Sequence, residues 1–316
     1  MLTNAGIELI DALHGGREAT VYDLVDETGL STSQIYRTAD ELHTEGLLGE
    51  SRGHHNQRLL RVTGHPVIEA YRNLLSKLGH VDWSDLLSPA TLRICWFLDE
   101  PRRVKSIADR LGITRQAVHN ALDPLKYRAM LSPSGPEYAL VPDLQPLHDF
   151  AEAVILHEHR YRARHLAPSA TVEWFDPDRV LIHVHDPDDT AALQAADGWE
   201  MTGLARFAAY DLQFFLAGEP AFWYAPGENL TPAQVACHSL VADTGSRQVS
   251  YALLLIEHVQ IDEKDLRDTA PWYGLESTVS DMYAFLEDGA IQRESRETVL
   301  PDPAEYESLK SQYGVM

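Results

Sequence analysis

The N-terminal half of this chain contains an internal repeat. Residues 21–48 (VYDLVDETGLSTSQIYRTADELHTEGLL) and 104–131 (VKSIADRLGITRQAVHNALDPLKYRAML) align without a gap at an offset of 83 positions. The identical pairs are Val21/Val104, Asp26/Asp109, Gly29/Gly112, Asp40/Asp123, Leu42/Leu125 and Leu48/Leu131. Self-similarity at a fixed offset indicates one structural unit that is used twice.

Each copy has the pattern of two helices joined by a glycine turn. Gly112 suits the end of the first helix because glycine readily adopts a positive φ, and Thr114 suits the start of the next as its N-cap. In the first copy, Gly29 and then Ser31 or Thr32 occupy these places. The apolar residues at helical spacing are Val21, Leu24, Val25, Ile35, Ala39 and Leu42, and Val104, Ile107, Ala108, Val118, Ala121, Leu122 and Leu125. Two helices joined in this way have the geometry of the DNA-binding helix-turn-helix.

The sequences that flank the two copies also match each other. An amphipathic helix is predicted before each copy, and a β-hairpin is predicted after each copy. The predicted segments are Ala5–Leu13, then Leu47–Ser51 with Arg58–Val62, and Thr91–Leu98, then Met130–Ser132 with Tyr138–Val141. Over about residues 1–145 the chain resembles winged helix-turn-helix transcription regulators, in the tandem arrangement found among archaeal regulators. The resemblance implies two domains that bind double-stranded DNA.

The predicted recognition helices begin at Thr32 and Arg115. Side chains near their N-termini that lie off the apolar stripe could reach base edges in the major groove. These are Ser33, Gln34, Tyr36 and Arg37 in the first copy, and Arg115, Gln116, His119 and Asn120 in the second. Gln and Asn pair well with adenine and Arg with guanine. For each residue, the alternative is an ordinary solvated helix face.

The two predicted hairpins differ in charge. The first contains Arg52, His54, His55, Arg58 and Arg61, which predicts contacts to phosphates or to the minor groove. The second, from Ser132 to Glu137, contains no cation and would clamp phosphates poorly.

The overall charge argues against DNA binding. The chain has 48 Asp and Glu against 26 Lys and Arg, a net charge of −22, whereas nucleic-acid binders usually present a basic surface. However, residues 1–165 carry only −4 and residues 166–316 carry −18, and only 5 of the cations are Lys. This bias resembles proteins of salt-loving archaea, and an acidic protein from an ordinary organism is the alternative. At 1 M salt the Debye length is ~3 Å, so net charge would say little about partners.

Composition also bears on the compartment. Cys95 and Cys237 are too few for a disulfide scaffold or a thiolate zinc site. No apolar run approaches the ~18 residues of a membrane span, and the first residues lack the pattern of a secretory signal. We therefore expect a cytoplasmic protein with no membrane partner.

Two further helices are predicted around the second copy. Residues 66–78 read as a linker helix, and Leu144–His165 as a longer helix with an apolar stripe. In winged-helix regulators, a helix after the second wing often carries the dimer contact, which implies a homodimer. The alternative is plain packing within the chain.

The C-terminal half reads as a mixed α/β domain. Strands are predicted at Thr171–Phe175, Arg179–His185 and Ala221–Tyr224, and helices at Asp189–Ala196, 231–240, Ser250–His258 and Glu276–Leu286. The segments GWEMTGLARF (198–207) and PAQVACHSL (232–240) resemble the C-terminal domain of AbiEi-type antitoxins, where a W-x-x-T-G turn opens a helix. That resemblance implies an autoregulatory DNA-binding protein or a regulator that borrowed the domain.

Signs of catalysis are weak. His183 and His185 share a strand face, with Asp186 nearby, but a metal needs a third ligand from elsewhere. On a helix, His157 and His159 face different ways, and so do Cys237 and His238. The aromatic cluster of Phe214, Phe215, Phe222, Trp223 and Tyr224 suits a core, with a ligand-pocket wall as the alternative. No nucleotide-binding or hydrolase motif is present, so we expect no enzyme, no cofactor and no metal.

These features predict an α+β chain: two winged helix-turn-helix domains in tandem, then a mixed α/β domain that ends in a small helical bundle. The predicted divisions are 1–65 and 85–142 for the winged helices, 66–84 and 143–168 for the linker and dimerisation helices, 169–289 for the acidic domain and 290–316 for a tail. We expect a sequence-specific transcription regulator whose C-terminal domain serves dimerisation, partner binding or effector sensing. The alternatives are an antitoxin-like or adaptor protein that acts through that domain, and a metal-dependent enzyme based on His183 and His185.

Overall fold

The computed structural model describes residues 2–214, 219–241, 243–288 and 299–315. The chain divides into two compact units, residues 1–161 and 162–316. Helices and small antiparallel sheets make up both units, as the predicted mixture of α and β structure requires. Within the described residues, no helix combines the length and the apolarity needed to cross a bilayer.

The first repeat copy folds as three helices and a three-stranded sheet. Its elements are α1 (Asn4–Leu13), β1 (Ala19–Thr20), α2 (Val21–Thr28), α3 (Thr32–Thr44), β2 (Leu48–Arg52) and β3 (Arg58–Val62). The sheet order is β1-β3-β2, and both pairings are antiparallel. The predicted hairpin is confirmed, whereas β1 was not predicted. Ile10, Leu24, Ile35 and Leu60 are fully buried, so all three helices and the sheet share one core.

Helices α4 (Pro66–Leu78) and α5 (Trp83–Leu86) lie between the two copies. The second copy then has the same order of elements as the first: α6 (Pro89–Cys95), β4 (Arg102–Arg103), α7 (Val104–Leu111), α8 (Arg115–Tyr127), β5 (Leu131–Ser134) and β6 (Glu137–Leu140). A 3₁₀ turn, Trp96–Asp99, continues α6. The sheet order β4-β6-β5 repeats that of the first copy. Each sheet is therefore completed by a two-residue strand just before the first helix of its copy.

The turns between the paired helices follow from the residues predicted to form them. Gly29 and Gly112 end α2 and α7 with φ values of 72° and 62°, a left-handed conformation that glycine adopts without a Cβ clash. Ser31 caps α3 by accepting the N–H of Gln34, and Thr114 caps α8 by accepting the N–H of Ala117. Both predicted helix starts, at Thr32 and Arg115, are confirmed.

Helix α9 (Gln145–Leu166) matches the longer predicted helix within one residue at each end. The apolar stripe that could have served a dimer is buried in this chain: Leu147, Phe150, Ala151, Val154 and Ile155 are at most 4% exposed. The ring of Phe150 lies 5.1 Å from that of Tyr71 in α4, and Tyr71 donates a 2.7 Å hydrogen bond to Asp11 in α1. The stripe therefore packs within the first unit.

The second unit combines one sheet with a set of helices. Its elements are β7 (Thr171–Phe175), β8 (Val180–His183), α10 (Pro187–Ala195), β9 (Trp199–Thr202), β10 (Ala221–Tyr224), α11 (Pro232–Val241), α12 (Ser246–Val259), α13 (Glu263–Thr269), α14 (Glu276–Asp288) and α15 (Pro303–Tyr313). The antiparallel sheet has the order β7-β8-β10-β9. Two 3₁₀ segments, Gly203–Tyr210 and Ala270–Tyr273, connect it to the helices.

Two segments of this unit differ from what the sequence patterns predicted. Trp199–Thr202 was read as a turn but forms strand β9, because it pairs along its whole length with β10. Of the predicted tail, residues 290–298 lie outside the described part, but α15 packs on the unit's core. Tyr306 in α15 is 3% exposed and donates a 2.5 Å hydrogen bond to Glu257 in α12.

Candidate nucleic-acid interface

The predicted recognition residues of the first copy lie on the outer face of α3. Ser33, Gln34, Tyr36 and Arg37 are exposed. The opposite face of the helix is buried through Ile35, Thr38, Ala39 and Leu42. Gln34 also has a structural task, since its side-chain oxygen accepts the backbone N–H of Ser31 at 3.2 Å and completes a capping box. Any base contact by Gln34 would therefore compete with this cap.

The second copy presents α8 in the same way. Arg115, Gln116 and Asn120 are exposed, whereas His119 is half-buried. Gln116 Nε2 donates a 2.7 Å hydrogen bond to Asn120 Oδ1, one helical turn away. The two amide side chains thus form one preassembled polar pair on the outer face, next to Arg115.

The hairpin of the first copy ends in a short, tightly wound tip. Strands β2 and β3 pair down to Arg52 opposite Arg58, and a 3₁₀ turn, His54–Asn56, joins them. His55 and Asn56 have positive φ values of 57° and 62°. The tip places the side chains of Arg52, His54 and His55 in solvent, and Arg61 is exposed further along β3. These four predicted phosphate or minor-groove residues are therefore accessible.

Arg58 differs from the other four hairpin residues. Only 16% of its side chain is exposed, and its guanidinium turns towards α3. Nη2 lies 2.5 Å from Asp40 Oδ1 and also pairs with Glu50. The guanidinium carbon lies 5.7 Å from the centre of the Tyr36 ring. A predicted phosphate contact is thus already bound to two carboxylates of its own domain.

The hairpin of the second copy has its own internal contacts. Glu137 accepts a 3.2 Å bond from Arg103, which joins β6 to β4. Lys126, near the end of α8, lies 4.7 Å from the ring centre of Tyr138 on β6 and 3.2 Å from Asp123 Oδ1. Asp40, Glu50, Lys126 and Tyr138 were not among the predicted site residues. The repeat did contain a signal for part of this set, because Asp40 and Asp123 occupy the same position.

In the second unit, the motif residues of the antitoxin resemblance meet in the core. His238 in α11 lies between two hydroxyls: Nδ1 is 2.8 Å from Thr202 Oγ1 and Nε2 is 2.8 Å from the hydroxyl of Tyr273. Its ring also lies 4.5 Å from that of Trp223. Thr202 and His238 are at most 1% exposed. The motif therefore builds a buried hydrogen-bonded chain that joins the sheet to the helices.

A family model now bears on this unit. The model described as "HVO_2833_C, C-terminal" matches residues 196–315. No curated protein matches the chain. The match contains both motif segments and extends through α15, so it treats β9 to α15 as one domain.

The residues considered for catalysis are engaged in structural contacts. His183 Nδ1 lies 3.5 Å from Glu173, and His185 Nδ1 lies 2.6 Å from Glu219. In the described part of the chain, no group of three or more His, Cys, Asp or Glu side chains could hold a metal ion. Cys237 is fully buried, and burial raises the pKa of its thiol to about 12.

The aromatic cluster belongs to the core as far as it is described. Phe222 is 0% and Trp223 is 2% exposed, and Tyr224 packs on Trp199 with 5.1 Å between ring centres. Phe214 lies 4.2 Å from the ring of Tyr251. Phe215 lies outside the described residues.

Proposed function

We propose that the two repeat copies are winged helix-turn-helix domains and that the protein is a sequence-specific, DNA-binding transcription regulator. The observation that carries the proposal is the matched pair of outer helix faces. Arg37 on α3 and the Arg115–Gln116–Asn120 group on α8 are exposed on helices that each follow a helix and a left-handed glycine turn. In a helix-turn-helix, that face of the second helix enters the major groove.

The two copies would contribute differently to binding. The first has exposed cations on both its helix and its hairpin: Arg37, Arg52 and Arg61. Contacts of this kind to phosphates position a protein on the duplex and supply most of its affinity. The second copy combines Arg115 with a preassembled Gln116–Asn120 pair, which suits base readout. The first copy would therefore anchor the protein, and the second would add sequence discrimination.

The C-terminal unit would serve dimerisation, partner binding or effector sensing. Its large acidic excess fits solubility in concentrated salt. Because the apolar stripe of α9 is buried within the first unit, a homodimer would need a different surface. An antitoxin-like or adaptor role through this unit is the second candidate.

Selection from a random duplex library tests the proposal. The purified full chain is incubated with the library at several salt concentrations, bound duplexes are recovered, and enriched sequences are read after repeated rounds. We expect one enriched motif long enough for two recognition helices. No enrichment at any salt concentration would contradict the proposal, and a stoichiometric protein partner on C-terminal pull-down would then favour the second candidate.

A further inference from the structure

The two repeat copies hold their hairpins against their second helices with the same three chemical groups. In the first copy, the Arg58 guanidinium on β3 is bound by Asp40 on α3 and lies 5.7 Å from the ring centre of Tyr36 on the same helix. Glu50 on β2 pairs with the same guanidinium from within the hairpin. Carboxylate, cation and aromatic ring therefore meet where the hairpin approaches the helix.

In the second copy, the groups are the same but two of them have exchanged elements. Asp123 stands at the repeat position of Asp40 and lies 3.2 Å from Lys126. Here the cation, Lys126, is on the helix, and the aromatic ring, Tyr138, is on the hairpin, 4.7 Å away. Lys126 Nζ also lies 3.4 Å from Nδ1 of His119, the repeat counterpart of Tyr36. The cluster is thus built twice with different residues, which indicates that the contact itself matters.

Such a cluster fixes the angle between the hairpin and the second helix of its copy. Helix α3 and the hairpin are joined covalently only by the short segment between Thr44 and Leu48. In the first copy an ion pair and a cation–π contact cross the gap and restrict the remaining freedom. In the second copy the cation–π contact crosses it, because Asp123 and Lys126 both lie on α8. Arg58 is only 16% exposed, so salt screens its contacts less than those of an exposed pair. Burial lowers the pKa of Arg58, but hydrogen bonds to Glu50 and Asp40 outweigh that effect, and the net pKa is raised.

We propose that these clusters are latches that set each hairpin against its recognition helix. We call Asp40, Arg58, Glu50 and Tyr36 the first latch, and Asp123, Lys126, Tyr138 and His119 the second latch. Arg58 is then a positioning residue rather than a phosphate contact, and it holds Arg52, His54 and His55 at a fixed distance from Arg37. The consequence for DNA binding rests on the proposed function, whereas the latch itself does not.

Asp40→Asn changes the DNA affinity in opposite directions for the two possible roles of Arg58, a phosphate contact and a member of the latch. If Arg58 binds phosphate, removing the nearby negative charge of Asp40 frees the guanidinium and tightens DNA binding. If Arg58 is part of a latch, the same substitution loosens the hairpin and weakens binding. Arg61→Gln is the matched control, because Arg61 lies on the same strand and is exposed.

The experiment compares Asp40→Asn, Arg58→Gln, the double variant and Arg61→Gln. Hydrogen exchange without DNA is measured first, and we expect several-fold faster exchange at residues 52–57 in the first three variants and no change in Arg61→Gln. Unchanged exchange in Asp40→Asn and Arg58→Gln would overturn the latch, whether or not the protein binds DNA. Lys126→Met is expected to loosen residues 131–140 in the same way, because Lys126 makes the contact to Tyr138 on the hairpin.

On an enriched duplex, Asp40→Asn and Arg58→Gln should each weaken DNA binding by about 3- to 10-fold. The double variant should weaken it by no more than the larger of these two effects. The slope of log affinity against log salt should fall by about 1 in Arg61→Gln but stay at the wild-type value in Arg58→Gln. Tighter binding by Asp40→Asn, together with a reduced slope in Arg58→Gln, would overturn the proposal.

Discussion

Thr202 and His238 share a 2.8 Å hydrogen bond in the core of the second unit, although 36 residues separate them in the chain. The other ring nitrogen of His238 is bonded to Tyr273, so both polar atoms of a nearly fully buried imidazole have partners. A buried polar group that loses its partner bears the cost of its desolvation. The contribution of these hydrogen bonds to stability can therefore be measured by substitution.

Thr202→Val removes the hydroxyl that is bonded to His238 with little change in the shape of the side chain. We expect the free energy of unfolding to fall by about 1–3 kcal/mol because Nδ1 of the buried His238 loses its 2.8 Å hydrogen bond to Thr202. Urea unfolding measures the difference. Tyr283→Phe is the control, since its hydroxyl makes only a long 3.4 Å bond to the Ile261 carbonyl. Equal stability of wild type and Thr202→Val would contradict the role given to His238.

Asp176 offers a second test of the same unit. It is 0% exposed, accepts the N–H groups of Asp178 and Arg179 at 2.9 and 2.8 Å, and pairs with the Arg179 guanidinium at 3.2 Å. Asp176→Ala leaves these buried N–H donors without this carboxylate, but the Arg179 guanidinium keeps its pair with Glu228, so we expect the free energy of unfolding to fall by about 1–3 kcal/mol. Asp176→Asn should lose less, and the exposed Asp197→Ala should lose almost nothing. A loss below about 1 kcal/mol in Asp176→Ala would refute this assignment.

The contacts of Glu45 indicate how the stability of the first unit changes as the pH falls. Its Oε2 lies 3.4 Å from His157 Nε2, and this hydrogen bond holds the pKa of Glu45 below its ordinary 4.5, against the opposing effect of burial. A lowered carboxyl pKa adds stability that is fully present above about pH 4.5 and is lost as the pH falls through the lowered value.

Unfolding of wild type and Glu45→Gln at pH 7, 5, 4 and 3 tests this sign. We expect wild type to be more stable by about 1–2 kcal/mol at pH 7 and 5, with the difference shrinking towards pH 3. A difference that grows as the pH falls would contradict the assignment.

Each unit contains one cysteine, and both thiols are inaccessible. Burial raises the pKa of Cys95 and of Cys237 to about 12, so the thiolate fraction at pH 8 is on the order of 10⁻⁴. We expect no reaction of the native chain with a thiol reagent at pH 8 and two equivalents after unfolding. In Cys237→Ser the remaining thiol is Cys95, so labelling reports the opening of the first unit. In Cys95→Ser the remaining thiol is Cys237, so labelling reports the opening of the second unit. Rapid reaction of either thiol in the folded chain would contradict the burial of the two cysteines.

Local signals predicted much of the first unit. The bounds of α4 match the prediction because His65 and Pro66 begin the helix, and the caps at Ser31 and Thr114 depend only on nearby residues. The strands β1, β4 and β9 were not predicted, because each is defined by its pairing with a partner far along the chain. A two-residue strand such as Ala19–Thr20 has no periodicity of its own.

The candidate interface was predictable only in part for the same reason. Helical periodicity separated the buried face of α3 from its exposed face, so Ser33 and Arg37 could be placed on the outside. Periodicity does not tell which carboxylate will lie opposite Arg58, since Asp40 is 18 residues away and on another element. The shared Asp40/Asp123 position of the repeat was the one available sign of that contact.

DNA recognition by α3 and α8 is tested by titrating wild type, Arg37→Ala, Arg115→Ala and Arg164→Ala against one enriched duplex. Fluorescence anisotropy is read at matched salt concentrations, and Arg164 is the control because it is exposed on α9 outside both copies. Each lost base contact costs about 1–3 kcal/mol, so we expect Arg37→Ala and Arg115→Ala to bind about 5- to 150-fold more weakly and Arg164→Ala to bind like wild type. Wild-type affinity in both Arg37→Ala and Arg115→Ala would contradict DNA recognition by these helices.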